Sequence, residues 1–139
     1  MPISLQTPAR APEAVLPLSG AELLAPLEEL ARVSAHVIAE PVGEFSANGG
    51  RHVLKRFVFL GPEGGGEMIR IGLFGGLRAG DSVGTHALIR FATLLAENPR
   101  RARGYCLFLY PQCDPAARAA GVGLWTNHRL EEIRMLERE

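Results

Sequence analysis

The chain carries no surplus of charge: 15 Lys and Arg stand against 15 Asp and Glu, a formal net charge of zero. Proteins whose main partner is nucleic acid or an anionic membrane surface usually carry a basic excess, so neither is expected as a partner here. No apolar run approaches the roughly 18 residues of a membrane-crossing helix. The opening MPISLQTPAR lacks the basic-then-apolar layout of a secretory signal, and a cytoplasmic location is the expectation. There are only two cysteines, Cys106 and Cys113, in and just after one predicted strand. That is no disulfide framework, and buried or half-buried free thiols are expected. There is no internal repeat. Gly75, Gly76, Gly80 and Gly84 lack G-x-G-x-x-G spacing, and no acidic residue ends the following strand, which removes a dinucleotide fingerprint.

What is present reads as one α/β domain. The 139 residues, 47% hydrophobic and 22% charged, suffice for a single layered core. Residues 1–18, with Pro2, Pro8, Pro12 and Pro17, read as an extended arm, and residues 19–139 as the domain. Ser19 and Glu22 have capping-box spacing and open a helix whose Leu23, Leu27 and Leu30 share a face, with Pro26 costing it one hydrogen bond. His36–Phe45 and His52–Leu60 are strand-like, and Asn48-Gly49 between them is a hairpin signal. GPEGGGE reads as a second tight connection, so that three successive strands form an antiparallel edge leading to the sheet centre. Ile69, Ile71, Leu73 and Phe74 form the nearly continuous apolar run expected of a strand covered on both faces.

From Ser82 to about Glu97 the pattern is helical, with Ala87, Leu88, Phe91, Leu94 and Leu95 as the inward stripe and Asn98-Pro99 as the stop. Tyr105–Pro111 is a second buried strand, and strand–helix–strand over this distance implies a right-handed parallel crossover. HRLEEIRMLERE reads as a last helix that meets the C-terminus without a stop signal, a hint of truncation from a longer parent. The expected fold is α/β: a mixed sheet with an antiparallel N-terminal hairpin and a parallel strand–helix–strand core.

Function should concentrate at the turn between the apolar strand and the second helix, because ligands of α/β proteins gather beyond the carboxyl ends of parallel strands. There the chain reads GGLRAGDSVGTHALIRF, and YPQCDP follows the next strand. With PLEEL, EPVGEF and RFVFLGP upstream, these segments resemble the N-terminal half of the zinc carboxypeptidase superfamily, in its succinylglutamate desuccinylase/aspartoacylase-like branch. The resemblance covers roughly residues 19–115. It implies a carboxypeptidase-like fold and an ancestral hydrolysis of an amide bond by zinc-activated water.

The family's first two zinc ligands are the His and Glu of His-x-x-Glu. Aligned without gaps, those positions are Arg78 and Asp81. Zinc takes neutral imidazole or carboxylate donors, usually three plus a water. A guanidinium stays protonated, offers no lone pair and repels the ion. Asp81 retains a carboxylate on a side chain one methylene shorter, and one carboxylate does not hold a zinc. His86 lies about 140° round the helix from Asp81. His36 and His52 begin strands expected away from the turn, and His128 lies on the last helix with solvent exposure expected. As an alternative role, Arg78 and Asp81 form an exposed ion pair, with Asp81 or Ser82 capping the helix. A residual anion or ligand site at the free amides of the helix start stays open beside it.

The family's Asn-Pro-x-Gly reads Asp114-Pro115-Ala116-Ala117 here, without the glycine. The resemblance further implies substrate-carboxylate contacts, for which Asp114, Arg118, Asn127 and Arg129 are the candidates; Leu124-Trp125 instead matches a step beyond that segment, which would then be deleted. The family's third ligand and general-base Glu fall beyond residue 139. The expectation is a degenerate zinc carboxypeptidase/succinylglutamate desuccinylase-like domain, not catalytic on its own, with no catalytic residue assigned and no cofactor. The alternative is a zinc-dependent metallocarboxypeptidase or amidohydrolase acting on a peptide or N-acyl amino acid, with zinc bound. A third reading is an interaction module that forms a homo-oligomer through an uncovered apolar face.

Overall fold

The computed structural model describes residues 20–47, 49–77 and 82–113. The Pro-rich arm, Ser19, Asn48, the stretch 78–81 and everything from Asp114 onward, the expected last helix included, lie outside the described residues. The elements are α1 (Gly20–Val33), β1 (Val37–Ala47), β2 (Gly50–Leu60), β3 (Ile69–Phe74), α2 (Val83–Glu97), a 3-10 turn (Pro99–Ala102) and β4 (Tyr105–Tyr110). The fold is α/β with a four-stranded mixed sheet, in the order β1-β2-β4-β3. β1 and β2 form the antiparallel hairpin, with Gly49 at φ 74°, and a bulge falls between Pro41 and Gly43. Proline lacks an amide donor, and the outer position of β1 accommodates Pro41.

β4 pairs antiparallel with β2 and parallel with β3. This corrects the sequence expectation of three consecutive neighbouring strands. The stretch 61–68 is no hairpin loop; it crosses the start of β4, where Gly61 N–H donates to Tyr105 O and Gly104 N–H to Pro62 O. β3 is therefore the outer strand of the described sheet, and its Ile69 and Phe74 are about half exposed, at 54% and 51%. An apolar run states that a strand can be buried, not which strand takes the centre, and YCLFLY takes it.

Both helices pack on one face. Leu27 of α1 and Ala92 and Leu95 of α2 share a buried cluster with Val37, Phe57, Phe59, Leu107 and Leu109. Each buried Val, Leu or Phe of this cluster contributes about 1.5–3 kcal/mol relative to exposure. α1 buries Leu23 and Leu27 of the expected face together with Leu24, while Leu30 is half-buried against the cluster and Pro26 is exposed. The stripe of α2 is rotated from the expected one: Thr85, Ala92 and Leu95 are buried, whereas Ala87 and Phe91 are exposed. The period is helical as read, and the packing partner set its phase.

Strand alternation puts Arg56, Phe108, Tyr110 and Phe74 on the opposite face. Arg56 Nε donates to Glu40 Oε2 at 2.7 Å, and its guanidinium carbon lies 5.3 Å from the centre of the Phe108 ring. Phe74 stacks on Tyr110 with ring centres 4.8 Å apart. Among the described residues, no helix is long and apolar enough to cross a membrane.

Both cysteines are free and buried, and burial pushes the Cys106 thiol up, against a smaller opposing pull from the Arg70 and Arg56 charges. Thiolate is the reactive form. Both thiols should therefore resist Ellman's reagent in the native protein and react together once denaturant unfolds it. Rapid reaction of either in the folded state would contradict this packing.

Candidate functional site

The candidate site is built where the parallel strands β3 and β4 end against the first turn of α2. The chain leaves β3 through Gly75, Gly76 and Leu77, and re-enters described structure at Ser82. Backbone bonds lock the two strand ends together: Gly75 N–H donates to Tyr110 O at 2.8 Å, and Cys113 N–H donates to Gly75 O at 3.0 Å.

The helix comes in closely because neither partner carries a side chain at the contact. A Cβ on Gly75 would stand 2.8 Å from the Gly84 carbonyl carbon, and one on Gly76 would stand 2.8 Å from Pro111 O. Gly76 also takes φ 62°, a left-handed conformation that costs other residues roughly 1 kcal/mol or more. The paired glycines are thus explained by a three-way backbone contact between β3, β4 and α2.

Two buried polar side chains finish this region, and sequence reasoning singled out neither. Thr85, 1% exposed, donates its hydroxyl to Pro111 O at 2.5 Å and so ties α2 to the end of β4. Its signal was available: a polar residue in register with the buried stripe of an amphipathic helix needs a partner inside. Gln112, 7% exposed, reaches the start of α1, where a Cβ on Gly20 would lie 3.1 Å from its Oε1. Its Nε2 is buried and, among the described residues, finds no hydrogen-bond partner. Nothing in the linear pattern marks Gln112, since a polar residue after a strand usually reads as a surface turn.

Ser82 is the N-cap residue of α2 by position, and its carbonyl accepts the His86 amide at 2.9 Å. Its side chain makes no capping bond. The expected alternative cap, Asp81, lies outside the described residues with Arg78. Asp114, Arg118, Asn127 and Arg129 likewise lie outside them, so the structure brings none of these candidates together.

The histidines within the described residues are dispersed. His36 Nδ1 donates to Leu60 O at 2.8 Å, at the end of β2 remote from the turn, and its ring stacks on Phe59. His52 stands on β2 against Phe45, with β4 intervening before β3. His86 is exposed on α2. Among the described residues, no three His, Cys, Asp or Glu side chains converge as a metal site would require. Compared with protein-family models and with curated proteins, the chain matches none.

The two missed residues predict opposite outcomes. Thr85→Val strands the Pro111 carbonyl and should cost about 1–3 kcal/mol. Gln112→Met removes a buried donor that has no partner, and should be neutral or stabilise by about 1 kcal/mol. Urea unfolding with an unchanged slope measures both. Equal destabilisation by the two would refute the assignment of Gln112 Nε2 as unsatisfied.

Proposed function

We propose that the chain is a degenerate zinc carboxypeptidase/succinylglutamate desuccinylase-like domain that does not hydrolyse amides on its own. One observation carries this reading: the turn after β3, which aligns with the family's His-x-x-Glu, reads Arg78-x-x-Asp81. The donor chemistry does not fit zinc. A guanidinium has no lone pair to give, and its fixed charge opposes a cation at the same place. No catalytic step through a metal is assigned to this chain.

The architecture is compatible with the resemblance. A hairpin precedes a parallel strand–helix–strand unit, and the turn in question joins the end of β3 to the start of α2. Fold kinship carries no activity where the site residues are replaced. The role that remains is binding, with Arg78 as a permanent cation three residues before Asp81 in the sequence. The balanced charge supports neither nucleic acid nor a membrane surface as the partner, and two free cysteines suit a reducing cytoplasm.

Zinc content after dialysis against trace zinc is the direct test. The expected result is far less than one zinc per chain, and no change in retained metal on Asp81→Ala. About one zinc per chain, lost on Asp81→Ala, would overturn this proposal and favour a zinc-dependent amidohydrolase.

A further inference from the structure

Among the described residues, β3 has an open edge. Ile69 N–H donates to Gly104 O and Gly75 N–H to Tyr110 O, at the two ends of the β3–β4 pairing. Strand alternation then turns the backbone groups of residues 69, 71, 73 and 75 toward β4, and those of Arg70, Gly72 and Phe74 outward. No described strand lies beyond them. β3 holds no Pro and no Lys, and its pairing with β4 runs without a bulge. It therefore lacks the usual devices that blunt an edge, apart from the charge of Arg70. Beside it, on the helix-covered face, runs a groove of about 560 Å³ lined by Ile71, Phe91, Leu94, Leu95, Tyr105 and Leu107.

We propose that this edge is a homodimer interface, in which β3 of a second copy pairs antiparallel about a two-fold axis at Gly72 and continues the sheet. An extended strand is what outward amide and carbonyl groups recognise, and the side chains select this strand and this register. Gly72 then faces Gly72 of the second copy, Arg70 faces Phe74, and Ile71 faces Leu73. Each of the three outward residues lies in a hydrogen-bonded pair and exchanges both its N–H and its C=O. The Arg70 guanidinium meets the half-exposed Phe74 ring on the same face, as a cation–π pair that the symmetry supplies twice. Ile71 and Leu73 meet in non-hydrogen-bonded pairs, where side chains come closest, beside the groove.

The neighbouring registers toward the start of the strand are worse. An axis at Arg70 opposes two guanidinium groups directly. An axis at Ile71 carries the outward groups of Phe74 past the end of the partner strand. With zero net charge, two copies approach without net repulsion.

Sedimentation velocity of the full chain from about 1 to about 100 μM tests this, because an interface this small should be half dissociated within that range. The expected result is a monomer at the low end that moves to a dimer at the high end. Gly72→Pro deletes an outward amide and leaves the β4 ladder intact, so it should weaken association at least about tenfold. Should that variant unfold by circular dichroism, Ile71→Lys places a charge beside the groove at a partly exposed position and carries the same expectation. Gly72→Cys should form a disulfide with its own copy under mild oxidation, since hydrogen-bonded antiparallel partners lie about 5.5 Å apart at Cα. A chain that stays monomeric throughout, because another segment or another protein covers the edge, overturns the proposal. So does a dimer that neither edge variant weakens, or one that Gly72→Cys does not crosslink.

Discussion

The structure depends on the position of β4. Its backbone bonds to β2 on one side and β3 on the other, and so joins an antiparallel hairpin to a parallel crossover. Its inward side chains, Leu107 and Leu109, sit at the centre of the cluster that both helices cover. The reverse face of the same strand carries Phe108 and Tyr110, which organise Arg56 and Phe74. With a hydrogen-bonded neighbour on each side and both helices over one face, the strand buries Leu107, Leu109 and Tyr110, while Phe108 on the reverse face stays partly exposed.

The same strand sets the geometry of the candidate site. Where β4 ends, Tyr110, Pro111 and Cys113 hold the exit of β3 and the entry of α2 through backbone bonds and the Thr85 hydroxyl. Glycine on both sides of the contact lets three backbone segments meet at distances a Cβ would forbid. The stretch that carries Arg78 and Asp81 thus leaves from one fixed point and returns to another. Among the described residues, the contacts that fix these two points involve Gly75, Gly76, Gly84 and Thr85.

The two margins of the sheet are unlike. β1 carries Pro41 and a bulge, both of which discourage another strand. β3 carries neither, and lies beside an apolar groove. Among the described residues, the asymmetry separates an edge that carries blunting features from one whose outward backbone groups meet no strand.

Local chemistry determined much of this protein in advance. Leucine spacing set the face of α1, Asn48-Gly49 set the hairpin, Asn98-Pro99 ended α2, and the alternation of apolar strands with a helix set the α/β class with its parallel pair. That Arg78 cannot ligate a metal was equally plain, since the absence of a lone pair is a property of the residue and needs no coordinates. Tertiary structure alone decided that β4 enters between β2 and β3, that β3 is the outer strand of the described sheet, and that α2 presents Thr85 rather than Phe91 to the interior. The role of Gln112 belongs to the same group, because its burial arises only where α1, distant in sequence, lies across the end of β4. Periodicity and turn signals report interactions within a few residues, whereas strand order and helix phase are settled by which distant surfaces bury the most apolar area against one another.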